Sequence, residues 1–194
     1  MPMNSSLWKS HILPFAFLLG LLAAVTLAGD YFLHRLDLVW VGRYLGILGT
    51  LLIICALYYS ARKRKWVSKG NPKTLIRLHE FGTWLGSAMV LIHSGIHINA
   101  VLPWLATAAM SAIVVSGLVG KILLKQSQQH VKDKRGFFEQ QGQSQVDIER
   151  AMYWDALALK AMMQWRKVHI PIFLIFATLA LGHIFSIFLF WGWA

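Results

Sequence analysis

The sequence predicts an all-α fold, an integral membrane helical bundle with about five transmembrane helices. Three observations lead there. Of 194 residues, 57% are hydrophobic and 14% charged, against about 25% charged in a typical soluble domain, and the mean hydropathy is +0.54. Four long stretches contain no Asp, Glu, Lys or Arg. The 19 Lys and Arg, set against 8 Asp and Glu for a net charge of +11, gather on one side of those stretches. The length suits a single domain. One cysteine, Cys55, excludes an internal disulfide framework and a cysteine-ligated metal or iron–sulfur cluster within this chain.

The first span, 12–34, rests on the charge-free run 12–29, whose 18 residues just cross a hydrocarbon core of about 30 Å. Lys9 ahead of it and the small residues at 26–28 also fit a secretory signal peptide, which would leave the rest of the topology unchanged. The second span, 41–61, contains a charge-free run at 44–61. The third run, 81–120, would form a helix of about 60 Å, two bilayer thicknesses. It therefore reads as a hairpin of spans 79–99 and 103–124, with Pro103 opening the second at its first turn. The Gln-rich tract 126–145 reads as a polar loop, flexible or partner-bound. An amphipathic helix is expected over 146–165, with Ile148, Met152, Leu159 and Met162 near one face. Such a helix lies in the cytoplasmic interface of the bilayer or offers a docking surface to a soluble partner. The fifth span, 168–191, carries Pro171 in its first turn, where the missing N–H costs little.

Orientation follows from the loops. All of the basic residues except Arg35 and Arg43 precede span one or lie in the loops after spans two and four. The positive-inside rule puts those loops and the N-terminus in the cytoplasm and the C-terminus outside. This is a multi-pass protein of the cytoplasmic (inner) membrane in contact with lipid. Its basic charge is topological and is no footprint of nucleic acid.

Ionisable residues inside spans are rare and mark functional sites. Here they are histidines. His79 and His93 stand 14 residues apart on span three, and His169 and His183 stand 14 apart on span five. Fourteen residues make just under four turns, so each pair shares a face and is separated by about 21 Å along the axis. Spans three and five run in the same direction, which sets His79 level with His169 and His93 level with His183. Two facing imidazoles are the ligands that a haem iron needs, so the pattern offers two stacked haem sites. Gly82 and Gly86, at +3 and +7 from His79, make room for a macrocycle, although the same spacing also serves plain helix packing. Phe173 and Phe176 are placed to pack on ring edges, and Arg77, Arg166 and Lys167 to pair with haem propionates. His97, one turn beyond His93, is an alternative ligand or a neighbour of the outer haem. His11, His34 and His130 read as interfacial or solvated, and Ser87, Ser94 and Asn99 as groups that could support the ligands.

The residues that open the spans carry a resemblance. Gly42-Arg43-Tyr44-Leu45-Gly46 begins span two, and Leu78-His79-Glu80-Phe81-Gly82-Thr83-Trp84-Leu85-Gly86 begins span three, before His93. Trp165-Arg166-Lys167-Val168-His169 leads into span five, before His183. Over residues 41–190 the chain resembles the ferric reductase-like transmembrane domain of ferric reductases, NADPH oxidases and the haem-binding membrane subunit of a bacterial methionine-sulfoxide reductase system. The resemblance implies two b-type haems held by His79, His93, His169 and His183, passing electrons through the membrane. The family core commonly has six spans and its reductases carry a fused flavin and nicotinamide domain. Five spans are counted here, and no Gly-x-Gly-x-x-Gly follows a strand-like segment. The expectation is therefore a dihaem cytochrome b subunit of an oxidoreductase complex. Its redox partners would be a flavoprotein, an iron–sulfur protein, a c-type cytochrome or a quinone. If quinol is the donor, Glu80 beside His79, or His97, is placed to move protons. A terminal metal or oxygen reductase acting at the outer haem, and a non-redox membrane scaffold, are the two alternatives.

Overall fold

The computed structural model describes residues 13–96 and 100–190, which are helical with short turns and, among the described residues, no strand. The helices are α1 (Leu13–Arg35), α2 (Val41–Ala56), α3 (Tyr58–Lys63), α4 (Pro72–Ile96) and α5 (Val101–Leu118). A π-turn (Val119–Leu123) joins α5 to α6 (Leu124–Gln140), and α7 (Gln145–Ala151), α8 (Tyr153–Met163) and α9 (Trp165–Phe190) follow. Four continuous helical segments are long and apolar enough to cross a membrane: Leu13–Arg35, Val41–Lys63, Val101–Gln140 and Tyr153–Phe190. Their outward faces are apolar, as at Leu27, Tyr44, Leu105 and Phe185, which suits lipid contact. α4 is long enough at 25 residues, but its His, Ser, Thr and Gly make it less apolar, and it is the helix the others gather around.

Two antiparallel pairs organise the bundle. α4 lies along α2, and α9 lies along α5, with α1 against α4. The α2–α4 seam has a seven-residue period: Gly42, Gly49 and Ala56 on one helix face His93, Gly86 and His79 on the other. A heptad spacing keeps one stripe of each helix turned to its partner. At the centre the backbones touch, since a Cβ on Gly49 would sit 2.7 Å from the Gly86 carbonyl oxygen. On the second seam His169 meets Ser116, and a Cβ on Gly182 would sit 3.7 Å from Leu102. α4 and α9 thus run in the same direction, as the histidine pattern requires.

Several boundaries differ from the sequence reading. The third span was expected from residue 79, yet α4 starts at Pro72, so Lys73 and Arg77 are helical. Asn71 explains this: its Oδ1 accepts from the Lys73 N–H at 2.9 Å, and Pro72 occupies the first helical position, where no N–H is needed. The preceding turn folds back on α3, with Tyr58 Oη donating to the Lys69 carbonyl and Arg62 Nε to that of Gly70.

The tract 126–145 is no loop. α5, the π-turn and α6 form one helix of 40 residues, about 60 Å long. Gln129–Asp133 and Arg135–Glu139 pairs at i,i+4 bridge its polar surface. Gly142, at φ +71°, ends it in the left-handed conformation that glycine adopts without strain. The amphipathic helix expected over 146–165 is two helices, broken at Met152 and again at Gln164. Ser144 caps α7 by accepting from the Asp147 N–H. The predicted apolar face is real, but it is turned against α6. Ile148 and Met152 are buried, Ser127 Oγ donates to Met162 Sδ at 3.1 Å, and Lys134 pairs with Asp155 at 2.6 Å. Pro171 lies inside α9, six residues past its start, and not in a first turn. Pro103 does fall in the first turn of α5, as expected.

Candidate functional site

The four histidines fall into two sets, one in contact and one across a cavity. His93 and His183 bring their ring centroids to 6.3 Å, inclined at 51°. His79 and His169, at the other end of the same two helices, line one cavity of about 730 Å³. That volume falls within the roughly 300–1,000 Å³ usual for cofactor and ligand pockets. α4 and α9 have no extended packing against each other among the described residues, so the cavity separates them.

Each ring on α4 is held by the backbone of α2. His79 Nδ1 lies 2.9 Å from the Ala56 carbonyl oxygen, and His93 Nδ1 lies 2.9 Å from that of Gly42. A carbonyl only accepts, so both Nδ1 atoms carry hydrogen and donate. In the neutral imidazole this leaves Nε2 with its lone pair, the arrangement of a metal-ligating histidine oriented by a backbone acceptor. Gly46 makes the approach possible: a Cβ there would meet the His93 ring at 2.8 Å. On the second seam His169 Nδ1 shares a hydrogen bond of 3.1 Å with Ser116 Oγ. The Trp165 ring stands edge-on to His169 at 4.6 Å and fills the space over Gly120.

The cavity has an apolar body and a charged end. Leu21, Ile53, Met110, Phe173 and Phe176 form much of its wall. Arg64, Arg77 and Lys121 reach one end together with Glu80, whose carboxylate pairs with Lys121 at 2.9 Å. Trp84 is among the lining residues, and its buried indole Nε1 has no acceptor among the described residues. Ser87 is buried in the same wall.

Other expected residues fall elsewhere. Gly82 and Gly86 face α2 and do not line the cavity: a Cβ on Gly82 meets Ala56, and one on Gly86 meets the Gly49 carbonyl and Ile53. Their use is close helix packing. Ser94 bonds its own helix, and His34 lies exposed at the end of α1, bonded to the Asp30 carbonyl. His130 is exposed on α6, and Lys167 is exposed beside Gln164. His11, His97, Asn99 and the side chain of Arg166 lie outside the described residues. Sequence reasoning missed Gly42, Gly46, Ala56 and Ser116 as supports of the rings, and Arg64 and Lys121 at the cavity end. The seven-residue spacing of Gly42, Gly49 and Ala56, matching that of His79, Gly86 and His93, was the available signal.

Among the described residues no three His, Cys, Asp or Glu side chains gather as a metal site of their own. The chain matches no family model, no curated protein and no solved structure.

Proposed function

We propose that this chain is a membrane cytochrome b that holds two haems between α4 and α9, one ligated by His79 and His169 and the other by His93 and His183. The observation that carries the reading is the double pairing of histidines at matched levels, with both α4 rings donating from Nδ1 to α2 carbonyls. Two imidazoles on opposite sides of one metal, through bonds of about 2 Å, hold their ring centres roughly 6 Å apart. The 6.3 Å between His93 and His183 accords with this. A site with only two protein donors suits a metal whose remaining ligands arrive with it, as in a porphyrin. The cavity at His79 and His169 suits the same guest, with apolar walls for the macrocycle and guanidinium groups for its carboxylates.

Haem, when bound, supplies one-electron oxidation and reduction. The chain's own work is to fix imidazole orientation through α2, exclude water with the phenylalanine wall and set the separation of the two sites. In this reading α4 is the fifth span, the N-terminus is cytoplasmic and the C-terminus lies outside the cytoplasmic membrane. The chain is then an electron-transfer subunit, akin to the ferric reductase-like domain, working between a quinone or a flavoprotein, iron–sulfur or c-type cytochrome partner on either side.

The test is spectroscopic. Purified protein should show a reduced-minus-oxidised b-type spectrum and a haem content near two per chain. His79→Ala and His169→Ala should lose one and the same haem, and His93→Ala and His183→Ala the other. A folded, colourless preparation overturns the proposal.

A further inference from the structure

We infer that the Glu80–Lys121 ion pair sets the charge, and with it the reduction potential, of the inner histidine site. The inference rests on the reading of that site as a haem site. Glu80 follows His79 in sequence, is the one carboxylate among the described residues lining the cavity, and lies 2.9 Å from Lys121. Lys121 reaches it from the π-turn at Val119–Leu123. A π-turn inserts an extra residue into a helix, is intrinsically unfavourable and concentrates at functional sites. Here it interrupts a 40-residue helix at the cavity mouth.

Stability does not account for the pair. Both side chains are substantially exposed, at 43% and 30%, and such bridges contribute about 0–1 kcal/mol. Charge does account for it. An electron entering the site adds one negative charge, which a neighbouring carboxylate opposes and a neighbouring ammonium favours. Paired, the two cancel close to His79. Arg64 and Arg77 remain at the cavity end to meet the acidic groups of the guest.

The experiment is spectroelectrochemical titration of both haems in the purified full chain and in Glu80→Gln, Lys121→Gln, the double variant and Lys121→Arg. Glu80→Gln leaves the ammonium alone and should raise the inner potential. Lys121→Gln leaves the carboxylate alone and should lower it. The double variant and Lys121→Arg should return close to the parent, and the outer potential should stay fixed in every variant. A merely structural pair would move both single variants in the same direction or release haem. Unchanged inner potentials in the two single Gln variants, shifts of equal sign in them or an equal shift of the outer site overturn the inference while leaving the dihaem reading intact. A parent chain without haem overturns the dihaem reading itself and the inference with it.

Discussion

At the scale of single residues, the supports of the two α4 rings, His79 and His93, are main-chain atoms, so no substitution at Gly42 or Ala56 deletes the acceptor itself. What can be changed is the room around it. A methyl group at Gly46 would lie 2.8 Å from the His93 ring, which the Gly42 carbonyl holds in place. Gly46→Ala should therefore displace His93 at a cost of about 1–3 kcal/mol, the usual range for overpacking. Under the dihaem proposal the outer pigment should fade and the inner one persist, as read from the reduced-minus-oxidised spectrum. Gly20→Ala is the control, because nothing lies within 4 Å of a Cβ there. The approach of His93 to His183 and the shared cavity of His79 and His169 follow the repeated spacing of 14 in the sequence. The carbonyl acceptors of the two α4 rings leave no trace in residue identity beyond the seven-residue spacing of small residues on α2. Gly82 and Gly86 were assigned to the cofactor because a helical wheel puts them on the histidine face. That face is also the α2 contact, since both rings turn Nδ1 to α2 carbonyls.

Among the elements, the α2–α4 seam and the layer formed by α6, α7 and α8 make separate predictions. Gly49 touches the Gly86 backbone midway between the two ring supports. Gly49→Val should force the helices apart, and both pigments should fall together, unlike the selective loss at Gly46. In the layer of α6, α7 and α8, Ile148 is almost wholly buried where α7 meets α6. Ile148→Ala should cost about 2–5 kcal/mol locally, and limited proteolysis at the exposed turn 141–144 should accelerate while the haem spectrum stays unchanged. Apolar runs made α1, α2 and α5 readable. α6 was unreadable because its Gln-rich surface lacks an apolar period; contacts with α7 and α8, and side-chain pairs along its own surface, hold it helical. The early start of α4 was written in Asn71-Pro72, a capping signal that basic residues just downstream obscured.

For the whole molecule the prediction is topological. In a Cys55→Ser background, a cysteine at Gly142 should react with an impermeant thiol reagent only from the cytoplasmic side. One at Asp37, in the turn between α1 and α2, should react only from the other side. Labelling in the reverse sense would invert the proposed orientation. The bundle as a whole was legible from charge-free runs and one-sided basic residues. Four helices meet the requirement by length and apolarity, whereas α4 trades apolarity for histidines and close-packing glycines.

The unbroken course from Val101 to Gln140 has a mechanical meaning. One rod forms part of the cavity wall at Met110 and carries the packing surface for α7 and α8 at its far end. The wall and that distant layer are thus built on a single continuous length of helix, interrupted in its ladder only by the π-turn at Val119–Leu123.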